Sequence, residues 1–227
     1  MLPAPQSHHA IRVLRLKTGD AVVLFNGDGA EYAAVIAQAG RDRLTLDVTG
    51  RRVVDRESPI AVTLTQAVSS GERMDYTVQK AVELGVAVIQ PVTTERSVAR
   101  LQGERAARRA EHWRAVVAAS CEQCGRNRLP EVSALLPFEA FLADAARHSG
   151  ALRLMLSPHS VRGLRELDRP AGPIVLLAGP EGGFSPQEER AAEHAGFLPL
   201  RLGPRVLRTE TAAVAALAAM QAWWGDF

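Results

Sequence analysis

Up to about residue 55 the apolar positions come in short runs broken by turn signals, the pattern of β-strands. Ala21–Phe25 (AVVLF) and Glu31–Ile36 (EYAAVI) read as short strands around Asn26-Gly27-Asp28-Gly29, a strong hairpin-turn run. Arg43–Val48 (RLTLDV) alternates apolar and polar as a third strand. His8–Leu16 fits a helix or a strand, with a short helix as the preferred reading. These elements make a small barrel or sheet, too small for a catalytic cleft of its own.

Asp55–Pro59 (DRESP) reads as a linker, and beyond it strand and helix patterns alternate. Strands are expected at Ile60–Ala67, Val86–Val92, Ala151–Leu156, Pro173–Ala178 and Leu198–Leu202. Helices are expected at Glu72–Leu84, Glu104–Cys124, Pro137–Arg147, Ser185–Ala195 and Thr211–Trp224. Gly85 follows the first of these helices as a C-terminal cap, and Ser185-Pro186 opens the fourth as an N-cap with proline behind it. PIVLLA, at Pro173–Ala178, is wholly apolar, as strands buried on both faces of a parallel sheet are. The alternation predicts an α/β domain with a parallel sheet.

Composition narrows the class. The 227 residues are 47% hydrophobic and 23% charged, which excludes a disordered chain. No apolar run reaches the roughly 18–20 residues that span a bilayer, and the start has no secretory pattern. Two cysteines exclude a disulfide framework and fit a reducing compartment. A soluble, cytoplasmic protein is expected. The net charge of +2 does not by itself imply a polyanionic partner. The bases, however, are 25 arginines and only two lysines, Lys17 and Lys80. Arginine suits phosphate and stacked bases, although the same bias also follows from a GC-rich genome.

Two glycine-containing loops are candidates for chemistry. In Ala178–Ser185 (AGPEGGFS) an apolar strand runs into glycines and then a helix, and strand C-terminal ends are where α/β sheets bind ligands. The loop lacks GxGxxG and the GK[ST] of a P-loop, so taken alone it reads first as a tight turn that needs glycine. Leu202–Thr211 (LGPRVLRTET) repeats the layout, with Thr209 or Thr211 able to cap the following helix and Glu210 suited to its positive end. Two such loops after consecutive strands could line one pocket.

Other features are weaker. Cys121 and Cys124 form a CxxC pair, but no second pair or histidine set completes a metal site, and inert thiols are the preferred reading. His8, His9, His112, His148, His159 and His194 show no ligand spacing, and no metal site is expected. From Arg100 to Arg128 there are seven basic and three acidic residues, either a phosphate-binding face or a solvated helix. Trp113, Trp223 and Trp224 fit packing or subunit contact.

GERMDYTVQKAVELGV, CEQCGRNRLPEV, LAGPEGGFSPQE and LGPRVLRTETAAVAAL occur in that order. With them the chain resembles the RsmE family of bacterial 16S ribosomal RNA uridine-N3 methyltransferases, from about His8 to Phe227. The resemblance implies a PUA-like β-barrel for RNA over residues 1–56 and a SPOUT methyltransferase domain with a deep trefoil knot over residues 60–227. It implies S-adenosylmethionine as cofactor, a homodimer with its pocket near the subunit interface, and 16S ribosomal RNA of the small subunit as partner. By motif, Gly179, Glu181, Gly182 and Gly183 belong to one cofactor loop. Leu202, Gly203, Val206, Leu207 and Thr211 belong to the other, with Leu156, Leu177 and Ala212 beside them. Arg126, Arg208 and Glu210 match positions facing the target. The family pattern has an N-terminal strand with an Arg-Phe-like element that this sequence lacks; a truncated start or a missing barrel strand is expected, with RNA affinity the property affected.

For uridine methylation, N3 must lose its proton before its lone pair can attack. Arg208 is expected to stabilise charge on the uracil oxygens or bind a phosphate, since a guanidinium keeps its proton and makes a poor base. Glu210 reads either as the group removing the proton or as a helix-capping carboxylate. Arg12, Arg15, Arg126, Asn127 and Arg128 are the expected RNA contacts. The competing readings are another SPOUT activity, on a ribose 2′-OH or a transfer RNA, and a non-catalytic RNA-binding assembly factor.

Overall fold

The computed structural model describes residues 1–41, 43–97, 101–145 and 150–227; Arg100, Arg147 and His148, named above, lie outside them. The chain divides into two compact units, residues 1–56 with 125–128, and residues 57–124 with 129–227.

In the first unit, α1 (Ala4–His8) runs into a π-helical turn at His9–Val13. The helix starts earlier than the apolar pattern implied because Pro5 sits in its first turn, where the missing amide costs nothing. Strands β1 (Ala21–Leu24), β2 (Ala30–Ala39) and β3 (Leu44–Val53) form an antiparallel sheet in the order β1-β2-β3. Ala10, Ile36 and Leu44 are its buried core, with Leu2, Ile11, Leu16, Val22 and Leu46 packed against them. The second half of β3, from Val48 to Val53, is exposed. Pairing with β2 continues the strand there, not burial. The β1–β2 connection is held by Asn26 Oδ1, which accepts from the Asp28 amide, and by Asp28 Oδ1, which accepts from the Ala30 amide. Residues 125–128 join this unit through the Asn127 amide nitrogen, which donates to the Val54 carbonyl at 2.8 Å, and through Arg56, which donates to the Gly125 carbonyl at 3.0 Å.

The second unit is built on a parallel sheet. Its strands are β4 (Val62–Ala67), β5 (Val88–Thr93), β6 (Glu131–Val132), β7 (Leu136–Pro137), β8 (Leu152–Leu156), β9 (Ile174–Ala178) and β10 (Leu198–Leu200). The order is β10-β8-β9-β4-β5-β6, with β7 also on β5, and every pair is parallel. Helices are α2 (Gly71–Glu83), α3 (Gly103–Cys124), α4 (Phe138–Ala145), α5 (Pro186–His194) and α6 (Thr209–Trp224), with a 3-10 turn at Leu164–Glu166. Among the described residues no helix is long and apolar enough to cross a membrane.

The sequence accounts for these elements locally. Helix α2 buries Met74, Thr77, Val78, Ala81 and Val82, one face at helical spacing. It ends at Gly85, with φ +76, where the Gly85 amide bonds the Val82 carbonyl and the Val86 amide bonds the Ala81 carbonyl. Helix α5 opens with a capping box: the Ser185 hydroxyl accepts from the Glu188 amide and Glu188 Oε2 accepts from the Ser185 amide. One core cluster joins Ala67, Val92, Phe138, Phe141, Met155, Leu177, Phe184, Ala192 and Phe197, under the loop that follows β9. The charge of α3 is partly spent along the helix, in Arg108–Glu104 and Arg114–Glu111 pairs and in His112–Asp75 with α2. Because the strands are parallel, β8, β9 and β10 end on one edge of the sheet, at Leu156, Ala178 and Leu200. From β10, at the sheet's margin, the chain returns through residues 201–208 to start α6 beside β9 and β4.

Candidate functional site

At that edge lies a cavity of about 590 Å³ within the second unit. Three segments form it: residues 156–159 at the end of β8, residues 178–184 at the end of β9, and residues 200–202 and 205–209 with Ala212. Arg73 of α2, Arg96 and Glu189 complete the lining. The floor is apolar, from Leu156, Ala178, Leu200, Leu202 and Leu207, while the glycine loop exposes backbone polar groups, a composition suited to a flat, weakly polar ligand.

Each loop is held by named contacts. Thr209 Oγ1 donates to the Gly179 carbonyl at 2.6 Å. Gln66, fully buried at the end of β4, donates through Nε2 to the Gly179 carbonyl at 3.2 Å and to Thr209 Oγ1 at 3.1 Å. These bonds pin the loop after β9 to the first turn of α6. Arg96 donates to the Gly182 carbonyl at 2.9 Å, and its Cβ lies 3.1 Å from where a side chain on Gly182 would start. Gly183 has φ +66, a conformation glycine adopts without strain. Glu188 Oε1 accepts from the Glu95 amide at 2.8 Å, which ties the start of α5 to the segment carrying Arg96.

Arg73 lies between two carboxylates. Its Nη1 is 3.1 Å from Glu181 Oε1 and its Nε is 3.8 Å from Glu210 Oε1. Burial pushes the Glu181 carboxyl up, but hydrogen bonds from the Ser70 amide, its own amide, the Ser70 hydroxyl and Arg73 outweigh this and leave it below the usual carboxylate range. A lowered folded-state pKa contributes stability that is complete above the unfolded value near 4.5 and is lost as pH falls through the folded value. Glu181→Gln is therefore expected to lose stability at pH 7 while its deficit against the parent shrinks below pH 4.5. Denaturant titrations at the two pH values check this, and an equal deficit at both would reject it.

Most of the sequence-derived cofactor residues meet here. Leu156, Gly179, Glu181, Gly182, Gly183, Leu202, Val206, Leu207 and Ala212 line the cavity, as does Arg208. Leu177, Gly203 and Thr211 do not: Leu177 is fully buried in the core, Gly203 forms a turn with φ +76, and Thr211 is exposed on α6. Glu210 is off the lining, with Oε2 buried and without a hydrogen-bond partner among the described residues. Neither Thr209 nor Thr211 caps α6; the N-cap is Arg208, without a side-chain cap bond. Arg12, Arg15 and Arg128 are exposed in the first unit, while Arg126 and Asn127 are buried. Cys121 and Cys124 form no disulfide. Sequence reasoning missed Arg73, Arg96, His159, Arg201, Arg205 and Gln66. For Gln66 a signal existed: a polar side chain inside an apolar strand requires hydrogen-bond partners.

Two family models match the chain. One, described as an RNA methyltransferase domain, matches residues 56–221, and the other, an RNA methyltransferase PUA domain, matches residues 2–49. A ribosomal RNA small subunit methyltransferase E from Buchnera aphidicola is 33% identical over 223 residues, covering 97% of this chain and 89% of the relative. The crystal structure of a ribosomal RNA small subunit methyltransferase E from Neisseria gonorrhoeae bound to S-adenosyl methionine is 41% identical, with a TM-score of 0.91 over 100% of this chain and 92% of that one. A protein described as a methyltransferase from Legionella pneumophila, in complex with bound SAM, is 40% identical with a TM-score of 0.95, at the same two coverages.

Proposed function

Because the chain belongs to the ribosomal RNA small subunit methyltransferase E family, we propose that it methylates N3 of one uridine in 16S ribosomal RNA with S-adenosylmethionine as donor. The observation that carries this reading is the convergence of the two glycine loops on one cavity at the C-terminal edge of a parallel sheet.

The residues present fit that cofactor. Leu156, Leu202, Val206 and Leu207 offer apolar faces for an adenine, and the glycine loop lets backbone groups approach it closely. S-adenosylmethionine supplies an already activated methyl group when bound, so what the protein must add is alignment and handling of the N3 proton. Arg208 lines the cavity and makes no ion pair among the described residues, which suits it to negative charge developing on uracil oxygens. Gln66 and Thr209 hold the α6 start, and with it Arg208, against Gly179.

The finer architecture is part of the proposal. The first unit, a three-stranded sheet with a helix against it, is read as a PUA-like barrel element that binds RNA. The return of residues 201–208 from the sheet margin to its middle is read as the threaded segment of a SPOUT trefoil knot, a rarity among folds. A homodimer is proposed because large apolar side chains are exposed on α2 at Tyr76, on α6 at Trp223 and at Phe227. The cytoplasm, where ribosomal subunits are made, is the proposed compartment.

The test is transfer of labelled methyl to small subunits from a strain lacking this protein, followed by nucleoside mass spectrometry. N3-methyluridine at one site is expected. A 2′-O-methyl product would overturn the base assignment, and cofactor binding without transfer would overturn catalysis.

A further inference from the structure

The arginines of the cavity divide into two kinds. Arg73 is ion-paired with Glu181 and Glu210, and Arg96 is bonded to the Gly182 carbonyl. Arg201, Arg205 and Arg208 form no ion pair and no side-chain hydrogen bond among the described residues, and all three are exposed. They sit within eight residues of one loop, RLGPRVLR, which holds no acidic residue.

That arrangement is at odds with the proposed cofactor taken alone. S-adenosylmethionine carries a sulfonium and an ammonium against one carboxylate, so it is a net cation. Five arginines line the cavity against two glutamates, Glu181 and Glu189. Unpaired guanidinium groups beside a cation repel it, the more so where solvent is partly excluded. The cofactor's one carboxylate can pair with one of Arg201, Arg205 and Arg208, and a site built only for the cofactor gains nothing from the other two. A polyanion at the mouth removes the conflict, because phosphates neutralise the arginines and are themselves attracted by the sulfonium.

We propose that Arg201 and Arg205 form a phosphate-binding edge on the cavity, so that the loop carrying the cofactor's apolar contacts also grips the RNA strand beside the target base. This rests on the reading of the protein as an RNA methyltransferase. Arg208 lies at the α6 end of the same loop, which places the phosphate grip and the charge-stabilising group on one short segment. The edge also couples the two ligands: RNA bound there lowers the repulsion felt by the cofactor, and by linkage a bound cofactor raises RNA affinity by the same factor.

The experiment compares the full chain with the double variant Arg201→Gln, Arg205→Gln. Binding of a ribosomal RNA fragment containing the target is measured from 50 to 300 mM salt, in the presence of S-adenosylhomocysteine. Each lost phosphate contact lowers the slope of log K against log salt by about 0.7–0.9, so a fall of about 1.5 is expected. The dissociation constants of S-adenosylmethionine and S-adenosylhomocysteine are then measured without RNA. The double variant is expected to favour the cationic form over the neutral one by about two- to tenfold more than the parent, through lost repulsion. A merely structural defect would weaken both ligands alike and leave their ratio unchanged. An unchanged salt slope, or an unchanged ratio, overturns the proposal. Because both readouts need no turnover, a parent protein that binds RNA but transfers no methyl rejects the methyltransferase reading and leaves this edge to be judged on its own slope.

Discussion

Arg208→Ala is expected to lower kcat/KM for ribosomal RNA by about 10²–10³, with the cofactor dissociation constant changed less than about threefold. The argument starts from position. Arg208 is the N-cap residue of α6, where the backbone leaves the cavity loop in an extended conformation, with φ −65 and ψ 155. Its side chain is exposed and lines the cavity, with no carboxylate paired to it among the described residues. Its backbone is held by its neighbour, since Thr209 is bonded to both Gly179 and Gln66. Truncation at Cβ therefore removes a charge and leaves the frame in place. A charge that acts on a uracil anion matters more in the transition state than in the ground state, so kcat should fall more than KM rises. Single-turnover rates on purified small subunits measure this. A loss confined to KM would assign Arg208 to phosphate binding, and full turnover would remove it from the mechanism. Glu210→Gln is the companion variant. Its Oε1 faces Arg73 at 3.8 Å and its Oε2 is buried off the cavity lining, which suits positioning, whereas proton removal requires the carboxylate to turn into the cavity. A shifted pH–rate profile goes with proton removal; a lower rate with the same profile goes with positioning.

What the sequence made legible followed from local physics. The apolar run at β9 showed a buried parallel strand because both faces are covered, and Ser185-Pro186 and Gly85 marked helix ends through capping chemistry. The outer half of β3 escaped because its side chains are exposed and only the ladder to β2 holds it. β6 and β7 escaped because two residues carry no periodicity. The cavity loops were visible as glycines after strands, yet motif matching is blind to which way a side chain faces. Along β9 successive residues alternate, so Leu177 enters the core while the adjacent residue, Ala178, lines the cavity. On α6, Thr209 faces Gly179 and Thr211, two residues on and about 200° around the helix, faces out. Gln66 and Thr209 are 143 residues apart, so their bond exists only through the sheet order, which local pattern does not encode.

That bond network is why Gly179→Val is expected to raise the cofactor dissociation constant at least about 100-fold while the protein still folds. A Cβ at Gly179 would lie 3.2 Å from Phe184 Cε2 and 3.3 Å from its Cδ2. The ring cannot yield cheaply, because Phe184 is buried and stacked on Phe138 with centroids 5.5 Å apart. The strain is relieved most easily by moving the loop after β9, which has open space in the cavity on its other side. Movement there lengthens the 2.6 Å bond from Thr209 to the Gly179 carbonyl and loosens the turn that carries Arg208. Both loops lose their register at once, and the branched side chain also intrudes where a ligand would sit. Losing this partly buried hydrogen bond alone costs about 1–3 kcal/mol, or roughly one to two powers of ten in an equilibrium constant. The steric term adds to it. Thr209→Val separates the two contributions: it removes the hydroxyl at nearly constant volume and leaves Gly179 untouched. Calorimetric titration with S-adenosylhomocysteine should therefore rank the parent above Thr209→Val, and Thr209→Val above Gly179→Val. If Gly179→Val binds as well as Thr209→Val, the cavity tolerates a side chain at residue 179, and the glycine serves the turn alone.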